Sequence, residues 1–155
     1  MTNWVSRFPI NTYLFFSRFR RGMTLGVRGA VFDAQDQIFL VRHGYVSGWY
    51  LPGGGVDAGE TLGAALEREL MEEGGMRLDG PAPLFGIYLN RSVSRRDHVA
   101  LFVCRSWTRV REPEANYEIV ESGFFPLDDL PEETTPGTRR RIAEIIGDHS
   151  PATEW

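Results

Sequence analysis

Residues 54–76 read GGVDAGETLGAALERELMEEGGM, and this stretch decides the fold. It begins with glycines, which permit backbone conformations that other residues resist. Apolar residues then recur at helical spacing and fall within roughly 140° of a helix circumference: Leu62, Ala65, Leu66 and Leu70. Gly74 and Gly75 follow, as is typical of a helix C-terminus. The stretch therefore predicts a glycine-rich loop and a helix from Thr61 to about Gly74.

Three carboxylates fall largely inside the same apolar sector, at its C-terminal end: Glu69, Glu72 and Glu73. Glu69 and Glu73 repel at the i,i+4 spacing, and all three lie where the helix dipole is negative. Arg68 offsets part of this charge through its own i,i+4 relation to Glu72. A bound cation would compensate the rest, and carboxylates without Cys or His ligands select hard ions such as Mg²⁺ or Mn²⁺. A Glu-rich helix end is otherwise a solvated surface, and the residues upstream decide between these readings.

The stretch resembles the signature of Nudix hydrolases, G-x5-E-x7-R-E-U-x-E-E-x-G-U, in which U is apolar. Leu70 and Met76 fill the apolar positions, and the fixed identities match at Gly54, Glu60, Arg68, Glu69, Glu72, Glu73 and Gly75. The order of the surrounding predicted elements is also similar to that of the family. The resemblance implies an α/β fold of the Nudix type, an α/β/α sandwich with a mixed β-sheet and a loop-helix-loop catalytic motif.

The same resemblance implies a metal site and an activity. Its metal ligands would be the main-chain carbonyl of Gly54 and the carboxylates of Glu69, Glu72 and Glu73. Arg68 with Glu60 matches the pair that orients these ligands. The implied cofactor is Mg²⁺ or Mn²⁺. The implied activity is hydrolysis of the pyrophosphate linkage of a nucleoside diphosphate joined to another group, a class that includes nucleotide sugars, ADP-ribose and modified nucleotides.

The general base has two candidates. Carboxylates crowded into one acidic site should have raised pKa values, which suit them to take a proton from water. Glu69 is the candidate on the helix, and Glu118 resembles the acidic residue that often precedes the family's late strand and reaches the metals. The predicted catalytic residues are therefore Glu69, Glu72, Arg68 and Glu118.

Two arginines are predicted to bind substrate. Arg28 and Arg42 lie in predicted strands beside the presumed cleft, and a guanidinium group suits bidentate contact with phosphate.

The rest of the chain predicts strands packed with helices. Alternating apolar residues predict strands at 24–32 and 37–43, joined as a hairpin by the turn 33–36. Further strands are predicted at 84–89, 99–104 and 119–127, and a second helix at 136–146, capped by Thr135. We divide the chain into an N-terminal extension (1–22), a Nudix hydrolase domain (23–148) and a short tail (149–155).

The composition and charge of the chain restrict the partners and the cellular compartment that we expect for it. The 155 residues carry a net charge of −4, which gives no general attraction to nucleic acid or to anionic membrane. Cys104 is the single cysteine, which fits a cytoplasmic location and excludes an intrachain disulfide. The N-terminal extension alternates aromatic residues with arginines and lacks a signal-peptide pattern. We predict that it packs on the core or on a second subunit, which would make a homodimer.

Two other functions are compatible with the same signature. One is removal of pyrophosphate or a cap from an RNA 5′ end, for which Arg91, Arg95 and Arg96 form a small basic cluster but the net acidity is unfavourable. The other is a nucleotide-binding module without catalysis, a role that occurs in the family when the glutamates are lost. All of these glutamates are present here.

Overall fold

The computed structural model describes residues 22–155. They form eight strands and two helices in the order β1 (Thr24–Val31), β2 (Ile38–His43), β3 (Trp49–Tyr50), α1 (Leu62–Gly74), β4 (Met76–Leu78), β5 (Leu84–Leu89), β6 (Asp97–Cys104), β7 (Trp107–Arg109), β8 (Ile119–Phe125) and α2 (Pro136–Ile146). Apart from Gly22, the predicted N-terminal extension lies outside these residues, and its packing stays a prediction.

The strands pair in both directions. One group has the strand order β1-β6-β5, in which β6 pairs in parallel with β1 and antiparallel with β5. Strands β3, β2 and β8 form an antiparallel group with β2 in the centre, and β4 pairs with β7. The short strands β4 and β7 were not predicted from the sequence. The parallel β1–β6 pair is reached only through a long crossover that includes α1, as parallel pairing requires.

The predicted hairpin of β1 and β2 is wrong in its pairing. The turn exists, with the Asp33 N–H donating to the Gln37 carbonyl at 3.1 Å. Beyond a single antiparallel bridge between Phe32 and Ile38, the two strands separate into different groups. The reason is burial: Ile38 to Val41 are buried without a break, as in a central strand with a partner on each side. Alternation along the chain does not distinguish that arrangement from a hairpin.

The two helices cover opposite faces of the strands. On one face, Ala65, Leu66 and Leu70 of α1 share a core cluster with Val27 and Phe102. On the other, Ile142 of α2 shares a second cluster with residues that include Leu40, Tyr88 and Leu101. Each helix alone would leave its apolar stripe exposed, so stacking on the strands stabilises both. The fold is the predicted α/β/α sandwich with mixed strand pairing.

Both predicted helix boundaries are confirmed. Thr61 caps α1, its side chain accepting from the Ala64 N–H at 3.1 Å, and Gly75 ends the helix in a left-handed conformation with φ of 60°. Thr135 caps α2, which begins with Pro136. Within residues 22–155, neither helix has the length and apolarity to cross a membrane.

The segment predicted as a tail packs on the core. Main-chain hydrogen bonds join Leu89 to Thr153 and Trp155 to Leu89, at 2.9 and 3.1 Å. The Trp155 ring meets the Tyr88 ring edge-on with centroids 5.5 Å apart. The fully buried Arg141 stacks on Tyr88 at 4.3 Å. These contacts give residues 153–155 a structural role in the domain.

Candidate active site

A glycine-containing loop, residues 51–55, runs along β1. The Val27 N–H donates to the Gly54 carbonyl at 2.9 Å, and the Gly29 N–H donates to the Pro52 carbonyl at 2.9 Å. Gly53 has φ of 139°, and a Cβ there would overlap the Val27 carbonyl. Only glycine permits this close approach, so the loop is held flat against the strand.

The loop meets the C-terminal half of α1 at two glutamates. The Gly53 N–H donates to the Glu73 carboxylate (Oε2) at 2.8 Å in a buried hydrogen bond. A Cβ on Gly54 would overlap the Glu69 carboxylate. The structure thus brings the glycines and two of the predicted metal-binding glutamates into direct contact.

Arg68 is the centre of an ion-pair network on the same helix. Its guanidinium group donates twice to the Glu60 carboxylate, at 3.0 Å each, and once to the Gly55 carbonyl at 3.0 Å. It also donates to Glu69 at 2.6 Å and lies 3.7 Å from Glu72. The two hydrogen bonds to Glu60 fix the plane of the Arg68 guanidinium group, which in turn fixes the Glu69 carboxylate. The pair implied by the family resemblance is therefore brought together.

The three glutamates of α1 differ in burial. Desolvation raises the pKa of Glu73 to about 8, with further contributions from the charges of Glu69 and Glu118. Desolvation also raises the pKa of Glu69, and hydrogen bonding to Arg68 opposes that rise. The Glu72 side chain is 58% exposed. The site therefore combines two carboxylates that resist ionisation with one that faces water.

A divalent ion fits the chemistry of these donors. Within residues 22–155, no three His, Cys, Asp or Glu side chains already converge as a metal-binding group. Arg68 instead provides positive charge to Glu69 and Glu72. The Gly54 carbonyl, the fourth predicted ligand, accepts from Val27 and keeps a second lone pair. The glycine cradle and the oxygen-only donors suit a hard cation, which would relieve the cost of ionising Glu73.

His43 extends the site in a way that its sequence position did not indicate. Its Nε2 lies 3.9 Å from Glu73 Oε1, and the side chain is 5% exposed. Burial lowers its pKa, with a further contribution from Arg28. The Tyr45 ring lies 5.2 Å from the imidazole, at the solvent side of the site. A histidine at a strand end gives no sequence signal for an approach to Glu73, 30 residues later in the chain.

Glu118 lies at the edge of this site. It is exposed, and its charge is near enough to contribute to the raised pKa of Glu73. The turn that carries it is ordered by Asn116, whose side chain accepts from the N–H groups of Glu118 and Ile119 at 2.8 Å. The Glu118 carbonyl accepts from the Gly44 N–H at 3.0 Å. The charge of the predicted loop carboxylate therefore acts on one of the helix carboxylates, Glu73.

The two predicted substrate-binding arginines have different surroundings. Arg28 Nη1 donates to the carbonyls of Leu51 and Gly53, at 2.9 and 2.7 Å. Arg42 is 40% exposed and pairs with Glu121 at 2.7 Å. Arg42 also lines a surface cavity of about 420 Å³ with His43, Tyr45 and Glu133. Arg28 faces the loop, whereas Arg42 borders open space.

Comparison with known proteins identifies relatives of the whole domain. Residues 22–145 match the family model described as NUDIX domain. The chain is 28% identical over 132 residues to the 8-oxo-dGDP phosphatase NUDT18 of Homo sapiens, covering 83% of this chain and 39% of that protein. It is 30% identical over 104 residues to an ADP-ribose pyrophosphatase of Methanocaldococcus jannaschii, covering 65% of this chain and 61% of the relative. The chain thus spans about two-fifths of the length of NUDT18.

Solved structures share the fold. A MutT NUDIX hydrolase from Burkholderia pseudomallei superposes with a TM-score of 0.67 at 26% identity, covering 79% of this chain and 97% of that chain. An ADP-ribose pyrophosphatase from Streptococcus suis superposes with a TM-score of 0.62 at 31% identity, covering 84% and 96%. The match extends over most of residues 22–155 and is not confined to the glutamate helix.

Proposed function

The chain belongs to the Nudix family, and from that premise we propose that it is a divalent-metal-dependent hydrolase of a nucleoside diphosphate derivative. The observation that carries the proposal is the contact between the glycine-containing loop and α1, where the Gly53 N–H meets Glu73 at 2.8 Å. This contact supports the proposal because it holds a signature carboxylate against glycine backbone, where no side chain obstructs close approach to the site.

The residues that would hold the ion are Glu69, Glu72, Glu73 and the Gly54 carbonyl. When bound, Mg²⁺ or Mn²⁺ neutralises charge on the diphosphate oxygens and makes water more acidic. Glu60 and Arg68 orient Glu69, through the double hydrogen bond at 3.0 Å and the single bond at 2.6 Å. Gly53 orients Glu73. The protein residues thus fix two carboxylates in place before substrate arrives, which avoids reorganisation during the reaction.

Two carboxylates remain candidates for the base that takes the proton from the attacking water. Glu69 has a raised pKa, caused first by burial, and Arg68 holds one of its oxygens, which leaves the other to accept a proton. Glu118 is exposed, and its charge contributes to the raised pKa of Glu73. We favour Glu69 because helix packing fixes its position, whereas Glu118 lies on a turn.

The proposed substrate is a small nucleoside diphosphate derivative, the class named for relatives that act on 8-oxo-dGDP and ADP-ribose. Arg42 is the proposed phosphate contact, because it borders the open cavity and could exchange its exposed Glu121 partner for phosphate. An RNA 5′ end is a poorer fit. Arg91 of the basic cluster is paired with Glu154 at 2.8 Å, which reduces the charge available to a polyanion. A cytoplasmic site of action remains our proposal.

A substrate panel tests this function. The purified protein is assayed with Mg²⁺ and with Mn²⁺ against ADP-ribose, nucleotide sugars, 8-oxo-dGDP, dinucleoside polyphosphates and 5′-triphosphate RNA. The proposal expects metal-dependent cleavage of at least one small diphosphate, with loss of turnover in Glu72→Gln. Cleavage of RNA alone would replace the substrate class. No cleavage of any compound by a folded protein would contradict the enzymatic function.

A further inference from the structure

Arg28 occupies an internal position of β1 and reaches across to the glycine-containing loop. One nitrogen, Nη1, donates to two main-chain carbonyls, Leu51 at 2.9 Å and Gly53 at 2.7 Å. The side chain is half-buried between the strand and the loop. One guanidinium nitrogen therefore ties together residues on both sides of Pro52.

The same loop residue connects Arg28 to the helix. Gly53 accepts from Arg28 through its carbonyl and donates through its N–H to Glu73 at 2.8 Å. Within the described residues, this is the one hydrogen bond that Glu73 accepts. Glu73 is 4% exposed, so water offers little replacement for it. The orientation of the Gly53 peptide units consequently controls how the carboxylate is held.

We propose that Arg28 is a positioning residue for Glu73: it fixes the carbonyls of Leu51 and Gly53, and thereby directs the Gly53 N–H at the Glu73 carboxylate. The inference rests on the proposed function only in assigning Glu73 a role in hydrolysis. It differs from the prediction that Arg28 binds substrate phosphate, because it assigns the guanidinium group a contact with the protein itself.

Arginine suits this task better than lysine. A planar guanidinium holds its N–H groups in fixed directions, so one nitrogen can serve two carbonyls at set angles. An ammonium on a flexible stem makes the same contacts with less directional control. Arg42 is the matched comparison, because it lies on β2, the next strand along the chain, and makes its ion pair with Glu121 at the surface. Within residues 22–155, its side-chain hydrogen bonds go to Glu121 and not to the glycine-containing loop.

A double-mutant cycle tests the proposal through activity. Arg28→Gln should lower kcat about 10-fold to 100-fold, the usual effect of removing the partner that orients a ligand, with KM changed by less than about 2-fold. In a Glu73→Gln background, the same substitution should lower kcat by no more than about 2-fold, because the carboxylate that it positions has been replaced by a neutral amide. Arg28→Lys should recover part of the lost kcat. The effects of Arg42→Gln and Glu73→Gln on kcat, whatever the size of the first, should multiply in the double variant, as expected of independent residues.

Amide hydrogen exchange provides a second reading that does not depend on turnover. In Arg28→Gln, the Gly53 N–H should exchange faster, while the Val27 N–H, which bonds to Gly54, keeps its protection. If the wild type cleaves no compound, this measurement still judges the positioning role. Should Arg28→Gln not fold, Arg28→Lys takes its place in both experiments. A raised KM with kcat retained, additivity with Glu73→Gln, or unchanged Gly53 exchange would each overturn the proposal.

Discussion

Replacing Glu73 by glutamine should stabilise the metal-free protein at neutral and alkaline pH. Burial raises the pKa of Glu73 from 4.5 to about 8. Between these values the folded protein holds a proton that the unfolded chain has released. Since the folded state then binds more protons than the unfolded state, the free energy of unfolding falls as pH rises through this window. Glutamine keeps an oxygen for the Gly53 N–H and has no proton to lose.

The size of the effect follows from the pKa difference. Each pH unit within the window costs about 1.4 kcal/mol, so ionisation of Glu73 in the unfolded chain lowers the free energy of unfolding by about 3 kcal/mol at neutral pH. Above the folded pKa the loss levels off at about 5 kcal/mol. Wild type and Glu73→Gln should therefore be similarly stable near pH 4.5 and diverge as pH rises.

Denaturant unfolding of EDTA-treated protein, measured from about pH 5 to pH 9, checks this difference. Glu67→Gln is the matched control, because Glu67 lies on the same helix but is exposed. Its stability should follow that of the wild type at every pH. If Glu73→Gln were less stable than the wild type at alkaline pH, or if the two curves ran parallel, Glu73 would not be a buried carboxylate that is costly to ionise.

Three further predictions concern the base, the orienting arginine and the packing of Trp155. Glu69→Gln should lower kcat at least 100-fold and remove from the pH–rate profile the requirement for a deprotonated group, whereas Glu118→Gln should lower kcat about 10-fold or less. The reverse order of effects would make Glu118 the base. Arg68→Lys should lower kcat about 10-fold in the same steady-state assay, since lysine cannot reproduce the double hydrogen bond to Glu60. A variant with the kcat of the wild type would contradict the orienting role of Arg68. Trp155→Ala should lower the free energy of unfolding, measured with urea, by about 2 kcal/mol because it removes the packing of Trp155 on Tyr88. KM should not change. A stability equal to that of the wild type would show that residues 153–155 contribute no packing energy.

Local signals in the sequence were sufficient for the two helices and for placing the three glutamates together on α1. Thr61 and Gly75 mark the ends of α1 through side-chain and backbone chemistry that acts within a few residues. Thr135 and Pro136 do the same for α2. The spacing of the glutamates places them on one helix face, and their contact with the glycine loop follows once the fold is formed.

Strand pairing and the surroundings of Glu73 required the structure. β1 and β2 follow one another closely along the chain, as hairpin strands do, yet β1 pairs with β6, about 70 residues away. Pairing at that separation depends on which buried faces fit together, which a local pattern does not encode. His43 and Arg28 likewise reach the site through long-range packing. A lone histidine or arginine in a strand has the same sequence appearance whether it faces solvent, a carbonyl or a carboxylate.

Binding of Mn²⁺, followed by the loss of the free-ion electron paramagnetic resonance signal, tests the central claim most directly. The account predicts that the wild type and Glu67→Gln bind the ion alike, and that Glu72→Gln and Glu73→Gln each bind it at least about 10-fold more weakly while remaining folded. Equal affinity in all four proteins would contradict the assignment of Glu72 and Glu73 as ligands, and with it the proposed chemistry of the site.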